Sequence, residues 1–210
     1  MSGAAGELNA LLAAAGYDGL TVEVVAQFQA YLDVLVKWNG RTNLTAIRDD
    51  AGIVRRHFLE SVVAARMLPA GVKTVLDFGS GAGFPGLPIA LVRPELEVTL
   101  GESQNKKAAF LREAVRTVGV RVKVHAGRAE QLKERFDCVV MRAVDHMEAA
   151  LPAAVGLVKP GGWVAVMTTA GEVPALKALA EGAGRGIVWA SGGEFGGDGG
   201  KVLLSGQVDG

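Results

Sequence analysis

The 210 residues contain a single cysteine, Cys138, so no second thiol exists for an intrachain disulfide. It lies in the apolar run Cys138-Val139-Val140-Met141, where it reads as a small buried hydrophobe in a reducing compartment rather than as a nucleophile. Net charge is also missing: 22 basic residues balance 22 acidic ones, and bulk electrostatics announce no polyanionic partner. No Lys or Arg precedes Lys37, which denies the Leu11-Leu12-Ala13 region the basic start of a secretory signal. The longest weakly charged stretch, Met147 to Ala170, is interrupted by Glu148, Lys159 and Pro160-Gly161-Gly162, and does not read as a membrane span of ~20 apolar residues. No internal repeat is visible. With 50% hydrophobic and 21% charged residues, the composition is that of a globular chain able to bury a core, and the expectation is a cytoplasmic protein.

The charges are unevenly spread. Gly101 to Arg142 carries ten Lys or Arg against five Asp or Glu, whereas Ala143 to Gly210 carries four against seven. This marks either one basic face or ordinary solvated helix faces. The apolar periodicity changes as well. Val22, Val25, Phe28, Tyr31, Leu32 and Leu35 follow a helical spacing, so residues 1–67 read as a helical N-terminal segment packed on a second unit, 68–210. After Leu68-Pro69-Ala70-Gly71 come short apolar runs at Thr74–Leu76, Val98–Leu100, Val122–His125, Cys138–Met141 and Trp163–Met167, with helical patterns between the early ones. Such spacing predicts βαβ units and a mostly parallel sheet with helices on both faces. A helix is expected over Val173 to Glu181. The last two runs, Ile187–Trp189 and Val202–Leu204, are joined without a helix through the glycine-rich Ser191 to Gly200, which predicts an antiparallel edge hairpin with a mobile link.

The strongest local signal is Thr74-Val75-Leu76-Asp77-Phe78-Gly79-Ser80-Gly81-Ala82-Gly83-Phe84-Pro85-Gly86, a strand running through glycines into a helix that should stop near Arg93-Pro94. Gly81, Gly83 and Gly86 match the dinucleotide spacing, but Asp77 is a poor neighbour for a pyrophosphate, which wants donors and positive potential. S-adenosylmethionine carries an ammonium and a sulfonium and no phosphate, so a carboxylate and carbonyl oxygens suit it better; Asp77 as a cap on the following turn is the structural alternative. Glu102, at the end of the second strand, is placed to accept from two ribose hydroxyls. Gly127-Arg128-Ala129-Glu130 offers main-chain donors and a carboxylate where an adenine edge would lie, although Glu130 also suits the start of a helix.

Lys37-Trp38-Asn39, Arg41-Thr42-Asn43-Leu44-Thr45, Arg56-His57-Phe58-Leu59-Glu60-Ser61, the loop from Asp77 to Pro88, Arg93-Pro94-Glu95, Glu102-Ser103, Lys106-Lys107, Phe110-Leu111, Gly127 to Glu130 and Arg142-Ala143 together resemble the glucose-inhibited division protein B family, the bacterial small-subunit rRNA guanine-N7 methyltransferases. The likeness covers roughly Tyr31 to Thr168. It implies a Rossmann-like class I methyltransferase fold with a seven-stranded sheet and an N-terminal helical extension. It implies S-adenosylmethionine as the donor, lined by Gly79, Phe84, Ala129, Glu130 and Arg142 with Glu102 as the ribose acid; Asp77, Gly81 and Gly83 complete the expected donor set. The implied acceptor is guanine 527 of 16S rRNA, near the decoding region. Thr168-Thr169 stands where the family often has Lys-Gly, and the usual Arg-His before the last strand is not found around Gly199-Gly200-Lys201.

Guanine N7 has a lone pair and no proton, so the chemistry needs no general base and none is assigned; nor is a metal site. Arg142 can hold the donor carboxylate, an RNA phosphate or guanine O6, or serve as a structural arginine. Asn39, Arg41 and Asn43 either contact RNA or link the N-terminal helices. Arg56, His57, Lys106 and Lys107 are further RNA candidates, with Arg112 beside them, and Trp38 is read as helix packing before base stacking. Partners are then 16S rRNA or the small subunit, met by a monomer. A methyltransferase for another RNA, a protein or a small molecule, and a non-catalytic ribosome-binding factor, remain as alternatives.

Overall fold

The computed structural model describes residues 3–190, 193–194 and 200–209. Helices α1 (Leu8–Ala14), α2 (Val22–Thr42), α3 (Asp50–Ile53) and α4 (Leu59–Met67) come first, with one π turn at Val54–Phe58 between the last two. The Thr21 hydroxyl accepts from Val24 N at the start of α2, and Asn43 ends that helix in the left-handed region. Phe28, Tyr31, Leu32 and Leu35 are fully buried along one stripe of α2, as their spacing predicts, but Val22 is 80% exposed because it occupies the helix's first position, beyond the packed stripe. Gln27 donates to the Val118 carbonyl and Trp38 Nε1 to Glu113, pinning α2 along the helix at Asn105–Val118. Trp38 also meets the Phe110 ring edge-on at 5.9 Å, so packing is its use.

The rest of the chain alternates: β1 (Thr74–Phe78), α5 (Gly86–Val92), β2 (Glu97–Glu102), α6 (Asn105–Val118), β3 (Val122–Ala126), β4 (Phe136–Arg142), α7 (Met147–Gly156), β5 (Val158–Thr169), α8 (Val173–Glu181), β6 (Ile187–Trp189), β7 (Gly193–Glu194) and β8 (Lys201–Val208). Seven strands lie in the order β3-β2-β1-β4-β5-β8-β6, and the two-residue β7 pairs with β8. All pairs from β3 across to β5 are parallel; β8 alone runs against its neighbours β5 and β6. The predicted edge hairpin is therefore present, while most of its expected mobile link, 191–192 and 195–199, lies outside the described residues.

Strand alternation sorts the core into two layers. Val75, Val98, Leu100, Cys138, Val140 and Ala165 face one cluster, which continues through α5 and α6 into Phe28, Tyr31 and Phe58 of the N-terminal helices. Leu76, Phe78, Val139, Met141, Val164 and Val166 face the other, covered by α7 and α8. Cys138 is fully buried, and burial pushes its thiol up to about 12, so it stays protonated. Among the described residues no helix is long and apolar enough to cross a membrane.

Candidate functional site

The parallel strands β1, β2 and β4 end on the same side, and the loops that follow them enclose a cleft of about 720 Å³. Gly79, Gly81 and Phe84 come from the β1 loop, Glu102 from the end of β2, Ala129 and Glu130 from the segment after β3, and Arg142 from the end of β4. This is the crevice that a doubly wound sheet opens at the carboxyl ends of its strands.

The cleft wall is largely main chain, held by few bonds. Gly79 N and Ser80 N donate to the Gly101 carbonyl at 3.0 and 2.9 Å, which ties the β1 loop to β2. Glu102 spans two turns: Oε2 accepts from Gly81 N at 2.9 Å and Oε1 from Gln104 N at 2.7 Å. Each carboxylate oxygen keeps acceptor capacity for a hydroxyl in the cleft. Gly81 has φ +56, and a Cβ there would meet nothing nearer than the Gly79 carbonyl at 3.9 Å; it would stand in the open cleft. At Gly83 the reverse holds. With φ +93, a Cβ would lie 2.6 Å from the Tyr31 hydroxyl and 3.2 Å from Leu111, so this glycine faces the N-terminal helices and not the cleft. The Tyr31 hydroxyl donates to the Ala82 carbonyl, so α2 holds the loop from behind.

Asp77 also sits behind the loop. Its carboxylate is fully buried, is not part of the cleft wall, and accepts from Gly86 N at 3.0 Å through Oδ2 while Oδ1 is unpartnered. The expectation that Asp77 faces a cationic ligand is thus corrected to a capping role at the start of α5, where the main-chain amide is its partner. Burial pushes this carboxyl up to about 7, against the Gly86 amide that favours the ionised form.

Arg142 and His57, on the cleft wall, belong to a charged network that joins α4, β4 and β8. Arg142 Nη2 lies 2.8 Å from Glu60 Oε2, 2.8 Å from the Arg56 carbonyl and 3.1 Å from His57 Nδ1. Lys201 reaches Glu60 Oε1 at 2.8 Å, and Arg56 Nε lies 3.4 Å from the same oxygen, so the 5%-exposed Glu60 side chain gathers three cations. Arg142 Nη1 is buried without a partner. His57 stacks on Phe84 at 4.7 Å, and its Nε2 lies 2.7 Å from the Thr45 hydroxyl. Burial, with Arg142 and Lys201 nearby, pushes the imidazole down to about 3; it is neutral, with Nδ1 accepting from Arg142 and Nε2 donating to Thr45.

Of the residues expected to touch RNA, His57 and Lys107 line the cleft. Asn39 does not: its side chain is buried and is spent on Thr45 N, Thr45 O and Ile47 O, which makes it the link between α2 and α3. Asn43 accepts from Arg48. Arg41, Arg56 and Lys106 are exposed and lie off the cleft wall. Glu60 was not singled out by sequence reasoning, although its i,i+4 spacing from Arg56 was a usable signal. Tyr31 carried none beyond its place in an apolar stripe.

A second cleft, of about 480 Å³, opens on the far side of Arg142. It shares Arg142, Ala143 and Val144 with the first and adds Glu172, Leu176 and Lys201. Among the described residues no cluster of His, Cys, Asp and Glu has metal-binding geometry.

Comparison with known proteins agrees with this geometry. A family model described as rRNA small subunit methyltransferase G matches residues 24–180. A protein of Xanthomonas oryzae pv. oryzae named Ribosomal RNA small subunit methyltransferase G is 39% identical over 168 residues, covering 79% of this chain and 78% of that protein. Its namesake from Halorhodospira halophila is 41% identical over 155 residues, 73% of this chain and 72% of that one. Among solved structures, P. horikoshii TYW2 in complex with MeSAdo superposes with a TM-score of 0.57 at 18% identity over 72% of this chain, which spans about three fifths (62%) of that one. An O-methyltransferase family protein of Burkholderia thailandensis gives 0.57 at 15% identity over 96% of this chain and 82% of its own. At such identities the likeness is one of fold.

Proposed function

The chain belongs to the rRNA small subunit methyltransferase G family, and from that premise we propose that it methylates N7 of a guanine in 16S rRNA, guanine 527 near the decoding site, with S-adenosylmethionine as donor. The observation that carries the donor assignment is the open space above Gly81, in the cleft lined by Gly79, Glu102 and Ala129, into which a Cβ at Gly81 would project. A phosphate-free ligand with a ribose suits it: Glu102 offers acceptors to the hydroxyls, and the turn at Gly81 is already bound to that same carboxylate. In this reading residues 68–210 form the methyltransferase domain, and residues 1–67 supply His57 to the donor cleft's wall and Glu60 as the partner of Arg142. Asp77 and Gly83 act from behind, by fixing the loop.

When bound, the donor supplies an electrophilic methyl on a sulfonium. Guanine N7 needs no proton removed, so the protein's task is to orient, exclude water and balance charge. Neutral His57, stacked on Phe84, presents a flat apolar surface at the mouth, and Glu60 holds Arg142 at the edge. Lys107 and the exposed Arg128 also line the cleft, and in this reading they meet RNA phosphate. The partner is 16S rRNA or the small subunit, met in the cytoplasm by a single copy of the chain.

The test is tritiated methyl transfer to small subunits that lack the modification, followed by borohydride reduction and aniline cleavage of the 16S rRNA. Scission at one guanine is expected, because N7 methylation fixes a positive charge that makes the reduced base labile. Methyl incorporation without scission excludes N7.

A further inference from the structure

The second cleft lies apart from the glycine wall of the donor cleft, yet it meets that cleft along Arg142, Ala143 and Val144. We propose that it receives the acceptor guanine and that Glu172 reads the base's Watson–Crick edge; this rests on the methyltransferase reading above and deepens it.

Glu172 is unusually well fixed for an exposed acid. Thr169 and Glu172 form a capping box at the turn before α8. The Thr168 hydroxyl, Thr169 N and the Thr169 hydroxyl lie 2.7, 3.1 and 3.0 Å from Oε2, and none of the hydrogen bonds among the described residues falls on Oε1. These bonds hold the carboxyl below its ordinary range, so it is ionised at neutral pH. A carboxylate whose orientation is set by one oxygen leaves the other as a placed acceptor on the cleft wall. Glu60, the other acid of this cleft, is already engaged by Arg142, Lys201 and Arg56.

Guanine's Watson–Crick edge carries two adjacent donors, N1–H and the N2 amino group. Adenine puts a lone pair at N1, which a carboxylate repels. Met147, Val166, Leu176 and Leu179 supply apolar wall for the faces of a flat base. The volume of about 480 Å³ is within the range of small-ligand sites. N7 lies across the purine from the N1 and N2 edge. A base anchored by that edge at Glu172 therefore turns N7 back toward the wall shared with the donor cleft, with O6 on the side of Arg142. The Thr168-Thr169 pair is what locks the reading carboxylate in place.

The experiment compares kcat/KM on small subunits reconstituted with 16S rRNA carrying either guanine or inosine at the acceptor position. Inosine keeps N7, O6 and N1–H and lacks only the N2 amino group. The wild-type protein should prefer guanine by roughly tenfold, the scale of a hydrogen bond to a charged group. Glu172→Gln keeps an acceptor for the two threonines and turns an amide toward the cleft; it should lower kcat/KM on guanine by about tenfold, bring the guanine-to-inosine ratio near one, and leave calorimetric S-adenosylmethionine affinity unchanged. Ala175→Trp, at an exposed position on the cleft's rim, should likewise depress acceptor turnover without weakening the donor. A wild-type ratio near one, a ratio preserved in Glu172→Gln, or loss of donor affinity in either variant overturns the proposal. Failure of the underlying reading looks different: no methyl enters the guanine-bearing subunits at all, and the proposal falls with it.

Discussion

On one side of Arg142 the cleft is walled by main chain: Gly79, Gly81, Gly101 and Gly127 bring amides and carbonyls to the surface, and Glu102 ties two of the turns together. On the other side the wall is made of side chains gathered from far apart in the chain, with Glu60, Arg142, Glu172 and Lys201 drawn from four separate elements. A main-chain wall is written locally, because glycines must stand at fixed offsets in one loop. A side-chain wall is written in residues whose neighbours in sequence say nothing about it. The first kind suits a ligand common to many proteins of this fold, and the second suits one that differs among them.

The sharpest way to break this contrast is to put a side chain into the main-chain wall. Gly81→Val should abolish S-adenosylmethionine binding by calorimetry, by at least about a hundredfold, since the added carbons enter the open cleft and strain a left-handed backbone. A folded Gly81→Val protein with normal donor affinity would remove the donor assignment. Glu60→Ala acts on the other wall and leaves Arg142, Lys201 and Arg56 without their shared acid. Chemical denaturation should show a loss of about 3 kcal/mol, as for breaking a buried pair, with donor affinity affected less than in Gly81→Val. Glu102→Ala should weaken the donor by about 1.5–3 kcal/mol, the range for hydrogen bonds to a charged group. Unchanged affinity would leave Glu102 as a brace for the Gly81 and Gln104 turns only.

A gentler probe uses two groups behind the walls whose titrations oppose each other. Between about pH 4 and 7 native Asp77 keeps a proton that the unfolded chain has released, so its contribution falls as pH rises. Between about pH 3 and 6.5 native His57 lacks a proton that the unfolded chain binds, so its contribution rises. Relative to wild type, Asp77→Asn should therefore tilt the melting temperature upward from pH 4 to 6.5, and His57→Gln should tilt it downward over the same window. Parallel profiles for all three proteins would show that neither group is held as the structure places it.

Most of the fold was legible. The apolar runs fell in β1 to β6 and β8, α8 began and ended where its pattern did, and the proline at Pro94 lies just past α5. These signals are periodic or punctuating, and they survive without knowledge of the partner. Asp77 was misplaced because its neighbours Phe78 and Gly79 face the cleft; strand alternation turned its carboxylate inward, onto Gly86. Asn39 offered a polar side chain on a helix near basic residues, and only the path of the chain from Leu44 to Ile47 shows that it is consumed internally. The Thr169-to-Glu172 capping box is spelled out in the sequence as a threonine followed three residues later by a glutamate, a turn signal that a comparison with the family's Lys-Gly pattern hides.

The apolar stripe of α2 has a consequence during synthesis. Phe28, Tyr31 and Leu35 leave the ribosome early, but the surfaces they bury against, from Phe84 and Leu87 to Phe110 and Leu111, are translated some fifty to eighty residues later. At about 5–20 residues per second the part of the stripe that meets those later surfaces waits several seconds, with only Phe58 and the neighbouring N-terminal helices against it. The nascent chain thus carries a sticky leading segment whose protection depends on translation pace, and slowing elongation between residues 40 and 110 should lower the yield of soluble protein without altering the finished molecule.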